Sequence, residues 1–161
     1  MDIAPAASLR IEEAVTGEIL EQVRALFLEY AGSLPFGLGF QNFEEELADL
    51  PGEYAPPNGR LLLARWEGAP AACAALRPFG PGDCEMKRMY VRPAVRGKGI
   101  GRVLAARLVA DARSIGYARM LLDTHPSMRE AIELYHSMGF TEIPAYRFNP
   151  VEGAVYMALQ L

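Results

Sequence analysis

The sequence predicts an α+β domain of about seven strands and four helices, and three observations carry that reading. Short segments of alternating or wholly apolar residues recur along the chain, four stretches repeat apolar residues at a helical period, and turn-forming Gly and Pro separate them. With 161 residues the chain is long enough for one well-buried core and too short for two ordinary domains, so residues 1–161 read as a single domain.

The elements follow in order. Ser8 to Ala14 alternates, with Leu9 and Ile11 on one face, and predicts a first strand. Thr16 stands where it can cap a helix whose stripe is Ile19, Leu20, Val23, Leu26, Phe27 and Tyr30. After the glycine-rich, aromatic stretch from Ala31 to Phe40, Asn42 and Glu45 have the spacing of a capping box, and Pro51 with Gly52 ends the helix they open. Arg60 to Trp66 and Pro70 to Arg77 flank a Glu67-Gly68 step and predict a hairpin. Cys84 to Val91 is the fourth strand, closed by Pro93.

From Ile100 the residues Val103, Leu104, Leu108 and Ala112 form a third helical stripe ending near Gly116. Arg119 to Asp123 is a short buried strand, and Ser127 with Glu130 forms a second capping box for a helix that stops at Gly139. Phe140 to Tyr146 and Ala154 to Leu161 complete the strands. Repeats, low-complexity tracts and linkers are not apparent.

Composition narrows the function classes. No stretch approaches the roughly 20 apolar residues of a membrane span, and the first ten residues lack the basic-then-apolar pattern of a secretory signal, so a cytoplasmic protein without a membrane role is expected. Cys73 and Cys84 read as small buried hydrophobes, and His125 and His136 have no partner at metal-ligand spacing, so no metal is expected. The net charge is -4, yet Cys84 to Arg119 holds nine Lys or Arg against Glu85 and Asp111 and carries +7. A basic island in an acidic protein points to a locally bound anionic ligand, whereas a nucleic-acid binder is more often basic throughout.

The island centres on MYVRPAVRGKGIGRVL, residues 89–104, where a strand passes through a loop into a helix. Gly97, Gly99 and Gly101 let the backbone approach a bulky group with its amides directed inward, and the helix N-terminus adds its own unpaired N–H groups. A P-loop is ruled out because Lys98 is followed by Gly99 and not by Ser or Thr, and the spacing GxGxG departs from the dinucleotide fingerprint GxGxxG.

At these residues the sequence resembles the GNAT superfamily of N-acetyltransferases, whose cofactor loop has the pattern Q/R-x-x-G-x-G/A, filled here by Arg96, Gly99 and Gly101. LYHSMGF, residues 134–140, resembles the family's LYxxxGF, and the element order agrees along nearly the whole chain, though from Met1 to Arg60 only in organisation. The resemblance implies a strongly bent mixed sheet and acetyl-coenzyme A as acyl donor. It implies that Arg96, Gly97, Lys98, Gly99, Ile100, Gly101 and Arg102 bind the pyrophosphate, chiefly through amides. It also implies that the pantetheine arm runs beside Met89, Tyr90 and Val91, with the Val91 amide as donor to the thioester carbonyl.

Two catalytic residues are implied. Glu85 lies four residues before Met89, where some family members place a general base, and it reads equally as an ion-pairing carboxylate near Lys87 and Arg88. Tyr135, from LYxxxGF, is placed beside the cofactor sulfur, either as acid for the departing thiolate or as a packing contact. Phe36, Phe40 and Phe43 are candidates for the acceptor wall that read individually as packed, while Arg77, Arg147 and Glu152 read individually as surface residues. The expected reaction is direct acetyl transfer to a primary amine of a small molecule by a monomer or homodimer. A protein N-terminus or lysine, and a coenzyme A sensor without turnover, are the alternatives.

Overall fold

The computed structural model describes residues 8–34 and 42–161. Seven strands form one mixed sheet in the order β1-β2-β3-β4-β5-β7-β6. They are β1 (Leu9–Glu13), β2 (Arg60–Trp66), β3 (Ala69–Pro78), β4 (Asp83–Val91), β5 (Arg119–Thr124), β6 (Thr141–Ile143) and β7 (Val155–Gln160). The helices are α1 (Gly17–Ser33), α2 (Phe43–Asp49), α3 (Ile100–Ile115) and α4 (Arg129–Ser137). Among the described residues the expected α+β class, strand number and helix number are all observed. Every neighbouring pair is antiparallel except β4 with β5, which the crossover through α3 makes parallel.

The central strands are apolar on both faces because both faces are covered. Leu62, Ala64, Ala72 and Ala74 pack toward α3 and α4, and the intervening Leu61, Leu63, Cys73 and Ala75 pack toward α1 and α2. The small residues of β3 let helices approach closely from either side. Glu67 and Gly68 both have positive φ, 49° and 86°, as the mirror-image turn of a two-residue hairpin requires.

Three cap readings and one strand length are corrected. Thr16 and Asn42 occupy the positions before α1 and α2, but neither side chain caps the helix, and Asn42 takes a left-handed conformation (φ 56°). Ser127 does not open α4, which begins at Arg129, and its hydroxyl instead lies 2.6 Å from Nδ1 of His125. The strand expected over Phe140 to Tyr146 is only Thr141–Ile143, because Tyr146 is drawn away to a buried partner described below.

Two irregularities in β4 shape the site. Between the pairs Cys73↔Tyr90 and Ala75↔Lys87 one residue of β3 faces two of β4, and Arg88 in that bulge has φ 59°. The extra residue shifts the strand's parity. Cys84 and Met86 face the α3–α4 side before it, Met89 and Val91 do so after it, and Tyr90 turns to the α1–α2 side. A bulge also bends its strand. Beyond Glu85↔Leu121 the β4–β5 register ends, while β5 stays paired with β7 along its whole length. The two parallel strands therefore splay apart.

Candidate active site

The splay contains a cavity of about 60 Å³ that passes through the sheet. Met86, Met89, Leu122 and Tyr135 line it from the α3–α4 side, and Tyr30, Lys87 and Asp123 from the α1–α2 side. Such a slot can hold the reacting atoms of two molecules that enter from opposite faces.

Among the described residues no strand pairs with its β4 edge beyond Glu85, which leaves a row of backbone groups there. The Arg92 amide donates to the Ala71 carbonyl at 2.9 Å, toward β3, so strand alternation directs the Val91 amide the other way, to the edge that β5 has left. An extended chain can pair there as an added strand. The Val91 carbonyl on that edge accepts from Nε of Arg96 at 2.9 Å.

The loop that follows is shaped for an anion. Gly97 and Gly99 have φ of 84° and 81°, a conformation that costs other residues energy, and Gly99 is the residue from which α3 starts. A Cβ at either glycine meets nothing within 4 Å, so the backbone conformation, and not crowding by the protein, is what demands glycine. At Gly101 a Cβ would sit 3.6 Å from Val91 and 3.7 Å from Leu134, ordinary contact distances.

Much of the basic island proves to be paired within the fold: Arg88 with Glu46, Arg92 with Glu29, Arg107 with Asp111 and Arg119 with Asp83. Among the described residues, Arg96, Lys98 and Arg102 have no such carboxylate partner. Lys98 lies over the Trp66 ring (5.4 Å), and Arg102 donates to the Ser137 hydroxyl at 2.8 Å. These contacts leave the loop's positive charge uncompensated. The Ile100 side chain is buried in the core, so it can offer a ligand only its backbone.

Tyr135 projects from α4 to the slot, its ring tilted against Phe140 at 5.7 Å. Burial, with Tyr30 nearby, holds its phenol above the ordinary value, so it keeps its proton at neutral pH. Tyr90 points to the other face, donates to Glu29 at 3.3 Å and packs against Tyr30. Met89 is half-buried beside the cavity.

Glu85 is wholly buried on the α1–α2 side. Its Oε1 accepts from Arg77 (3.0 and 2.9 Å), and its Oε2 accepts from Tyr146 at 2.7 Å and pairs with Arg147. Burial alone would raise this carboxyl, but Lys87, Arg147, the Tyr146 hydrogen bond and Arg77 together hold it below the usual range. Both of its oxygens are thus engaged, which is the ion-pairing arrangement.

Arg77 and Arg147 are accordingly not surface residues but the partners of a buried carboxylate, and Glu152 is exposed. The cue that Arg147 and Tyr146 belong to the site is absent from local sequence, since both lie in the β6–β7 connection and are placed by Glu85. Asp123, which sequence reasoning passed over, accepts from Asn149 of the same connection at 3.1 Å. Phe43 is buried against Phe27 with ring centroids 6.5 Å apart, and Phe36 and Phe40 lie outside the described residues. Cys73 and Cys84 are fully buried thiols, and burial pushes Cys84 up to about 12.

Among the described residues no His, Cys, Asp and Glu cluster could hold a metal ion, and no helix is long and apolar enough to cross a membrane.

Comparison with known proteins gives the family and the fold. The model of the acetyltransferase (GNAT) family matches residues 20–140. An uncharacterized N-acetyltransferase of Schizosaccharomyces pombe is 41% identical over 144 residues, 88% of each chain. An L-methionine sulfoximine/L-methionine sulfone acetyltransferase of Salmonella typhimurium is 43% identical over 78 residues, 45% of this chain and 46% of that one. An acetyltransferase from Streptococcus agalactiae superposes with a TM-score of 0.79 at 20% identity, covering 96% of this chain and 99% of the other.

Proposed function

The chain belongs to the GNAT family of acetyltransferases, and from that premise we propose that it transfers acetyl from acetyl-coenzyme A to the primary amine of a small molecule in a ternary complex. The single observation that carries the reading is the slot through the sheet, with a proton-bearing Tyr135 on one face and a polar wall on the other. Its narrowness favours a compact acceptor. A partial relative that acetylates a small amino compound supports the same class.

The residues fit the cofactor. The Arg96 to Arg102 loop offers amides at left-handed glycines, a helix start and uncompensated cations to a pyrophosphate. The vacant edge at Val91 suits the amide groups of an extended pantetheine arm. When bound, acetyl-coenzyme A supplies an acetyl group activated as a thioester.

The protein's part is orientation and proton supply. The Val91 N–H is assigned as donor to the carbonyl oxygen that gains negative charge on attack, an effect worth about 3–4 kcal/mol where such donors have been removed. Tyr135 holds a proton at its hydroxyl for the departing sulfur. Glu85 is assigned the role of anchoring Arg77, Arg147 and Tyr146, because a carboxylate with both oxygens engaged and its pKa lowered is a weak proton acceptor. No acyl-cysteine step is required, since a direct attack by the amine suffices.

A screen of small amines and peptides with purified protein and acetyl-coenzyme A, followed by thiol release and mass spectrometry, tests this reading. Acetylated small amines are expected, and acetylation of peptide N-termini or lysines alone would replace it with the protein-modifying alternative.

A further inference from the structure

Most tyrosines of the chain commit their hydroxyl to the fold. Tyr90 donates to Glu29, Tyr117 to the Asn58 carbonyl at 2.6 Å, Tyr146 to Glu85 and Tyr156 to the Arg147 carbonyl at 3.0 Å. Tyr54 is sealed in the core against Phe27. Tyr30 and Tyr135 differ. Among the described residues neither hydroxyl has a hydrogen-bond partner, and both residues line the slot, one from each side of the sheet. The two phenols also act on each other electrostatically. A phenol that meets a cavity and is not held by the protein can bond what the cavity binds.

Direct attack by an amine leaves a proton to be moved. The nitrogen must lose an N–H proton as the N–C bond forms, and the sulfur must gain one as the C–S bond breaks. A carboxylate is the ordinary carrier, but those nearest the slot are engaged, Glu85 by Arg77, Arg147 and Tyr146, and Asp123 by Asn149. In the tetrahedral centre the nitrogen and the sulfur are bonded to one carbon, so a bridge of two hydroxyls is long enough to join them. A phenol can serve as a link because its oxygen accepts one proton while its O–H gives up another. Burial holds the Tyr30 phenol above its ordinary value, with Arg88 acting against it, so Tyr30, like Tyr135, starts with its proton in place at neutral pH. Its ring is fixed against Tyr90, with centroids 5.8 Å apart.

We propose that Tyr30 and Tyr135 form a proton relay across the slot, from the attacking amine to the departing sulfur. The proposal rests on the acetyl-transfer reading above and extends it to Tyr30. The N–H proton passes to the Tyr30 oxygen, the Tyr30 hydroxyl proton to the Tyr135 oxygen, and the Tyr135 proton to sulfur. One N–C bond forms and one C–S bond breaks, no net charge is created, and both phenols end as they began. No separate base is needed.

The test uses the full chain, saturating acetyl-coenzyme A and the small amine that reacts fastest in the screen described above. Single-turnover acetyl transfer is measured for wild type, Tyr30→Phe, Tyr135→Phe and the double variant. Each single variant is expected to be about 100-fold slower than wild type, and the double variant no slower than either, since a chain broken once is already broken. Acetyl-coenzyme A affinity by calorimetry and the melting curves should stay near wild type, because both rings are retained. In mixtures of light and heavy water the wild-type rate should fall along a curve, as it does when more than one proton moves, and the curvature should vanish in Tyr30→Phe. Wild-type speed in Tyr30→Phe beside a slow Tyr135→Phe would overturn the relay and leave Tyr135 as a lone acid. Losses that multiply, to about 10⁴-fold in the double variant, would also overturn it, since the two hydroxyls would then act separately. Absence of transfer to any small amine would overturn the acetyl-transfer reading itself. Should Tyr30→Phe fail to fold, the heavy-water series on wild type still decides, a straight line overturning the relay.

Discussion

Tyr30 of α1 and Tyr135 of α4 line the same cavity from opposite faces of the sheet. Helices on opposite faces are ordinarily separated by a continuous layer of paired strands. They share a space here because β4 and β5 cease to pair after Glu85↔Leu121. The bulge at Arg88 accompanies that opening by bending β4 and turning Met89 and Val91 toward α3 and α4.

Tyr135→Phe keeps the ring contact with Phe140 and removes the hydroxyl at the slot. Stability is expected to change by less than about 1 kcal/mol, because the packing is conserved. Single-turnover acetyl transfer at saturating acetyl-coenzyme A should fall about 100-fold, the lower end for general acid catalysis. Transfer at the wild-type rate would reduce Tyr135 to a packing residue.

Glu85→Gln separates the anchor from the base. At neutral pH the variant should be less stable by about 3–5 kcal/mol, because Arg77 and Arg147 lose a buried partner. The folded-state pKa of Glu85 is lowered, so its contribution is present above the unfolded value of about 4.3 and is lost as pH falls through the folded value below it. Melting curves of wild type and variant should therefore converge in acid. Turnover of the folded variant is expected to fall by a similar factor from pH 7 to 9, whereas recovery at high pH would return the base role to Glu85.

The glycines of the loop proposed to hold the cofactor should not behave alike. Gly99→Val forces a β-branched residue into a left-handed conformation, costing about 1–3 kcal/mol of stability and tenfold or more in coenzyme A affinity by calorimetry. Gly101→Ala places its methyl at ordinary contact with Val91 and Leu134, so folding and affinity should both survive. Equal losses at the two positions would mean that crowding, and not backbone conformation, rules the loop.

Neither cysteine should react in the folded protein. Both are fully buried, and a thiol pushed up to about 12, as at Cys84, is almost wholly protonated at pH 8. Native mass spectrometry after iodoacetamide treatment is expected to show unmodified, fully active protein. Loss of activity in step with alkylation would reopen a covalent route.

The sequence by itself determined the element order, the single sheet and the glycine loop that opens α3, because each rests on local signals. Apolar periodicity reports which face is covered, and Gly97, Gly99 and Pro93 report backbone conformation at their own positions. The tertiary structure alone decided the polar wall on the α1–α2 side of the slot. Glu85, Arg77 and Arg147 are far apart in the chain, and each read as an ambiguous charge until the sheet and the β6–β7 connection brought them into one buried cluster. A charge's role is set by its partners and its access to water, and both are properties of the folded chain.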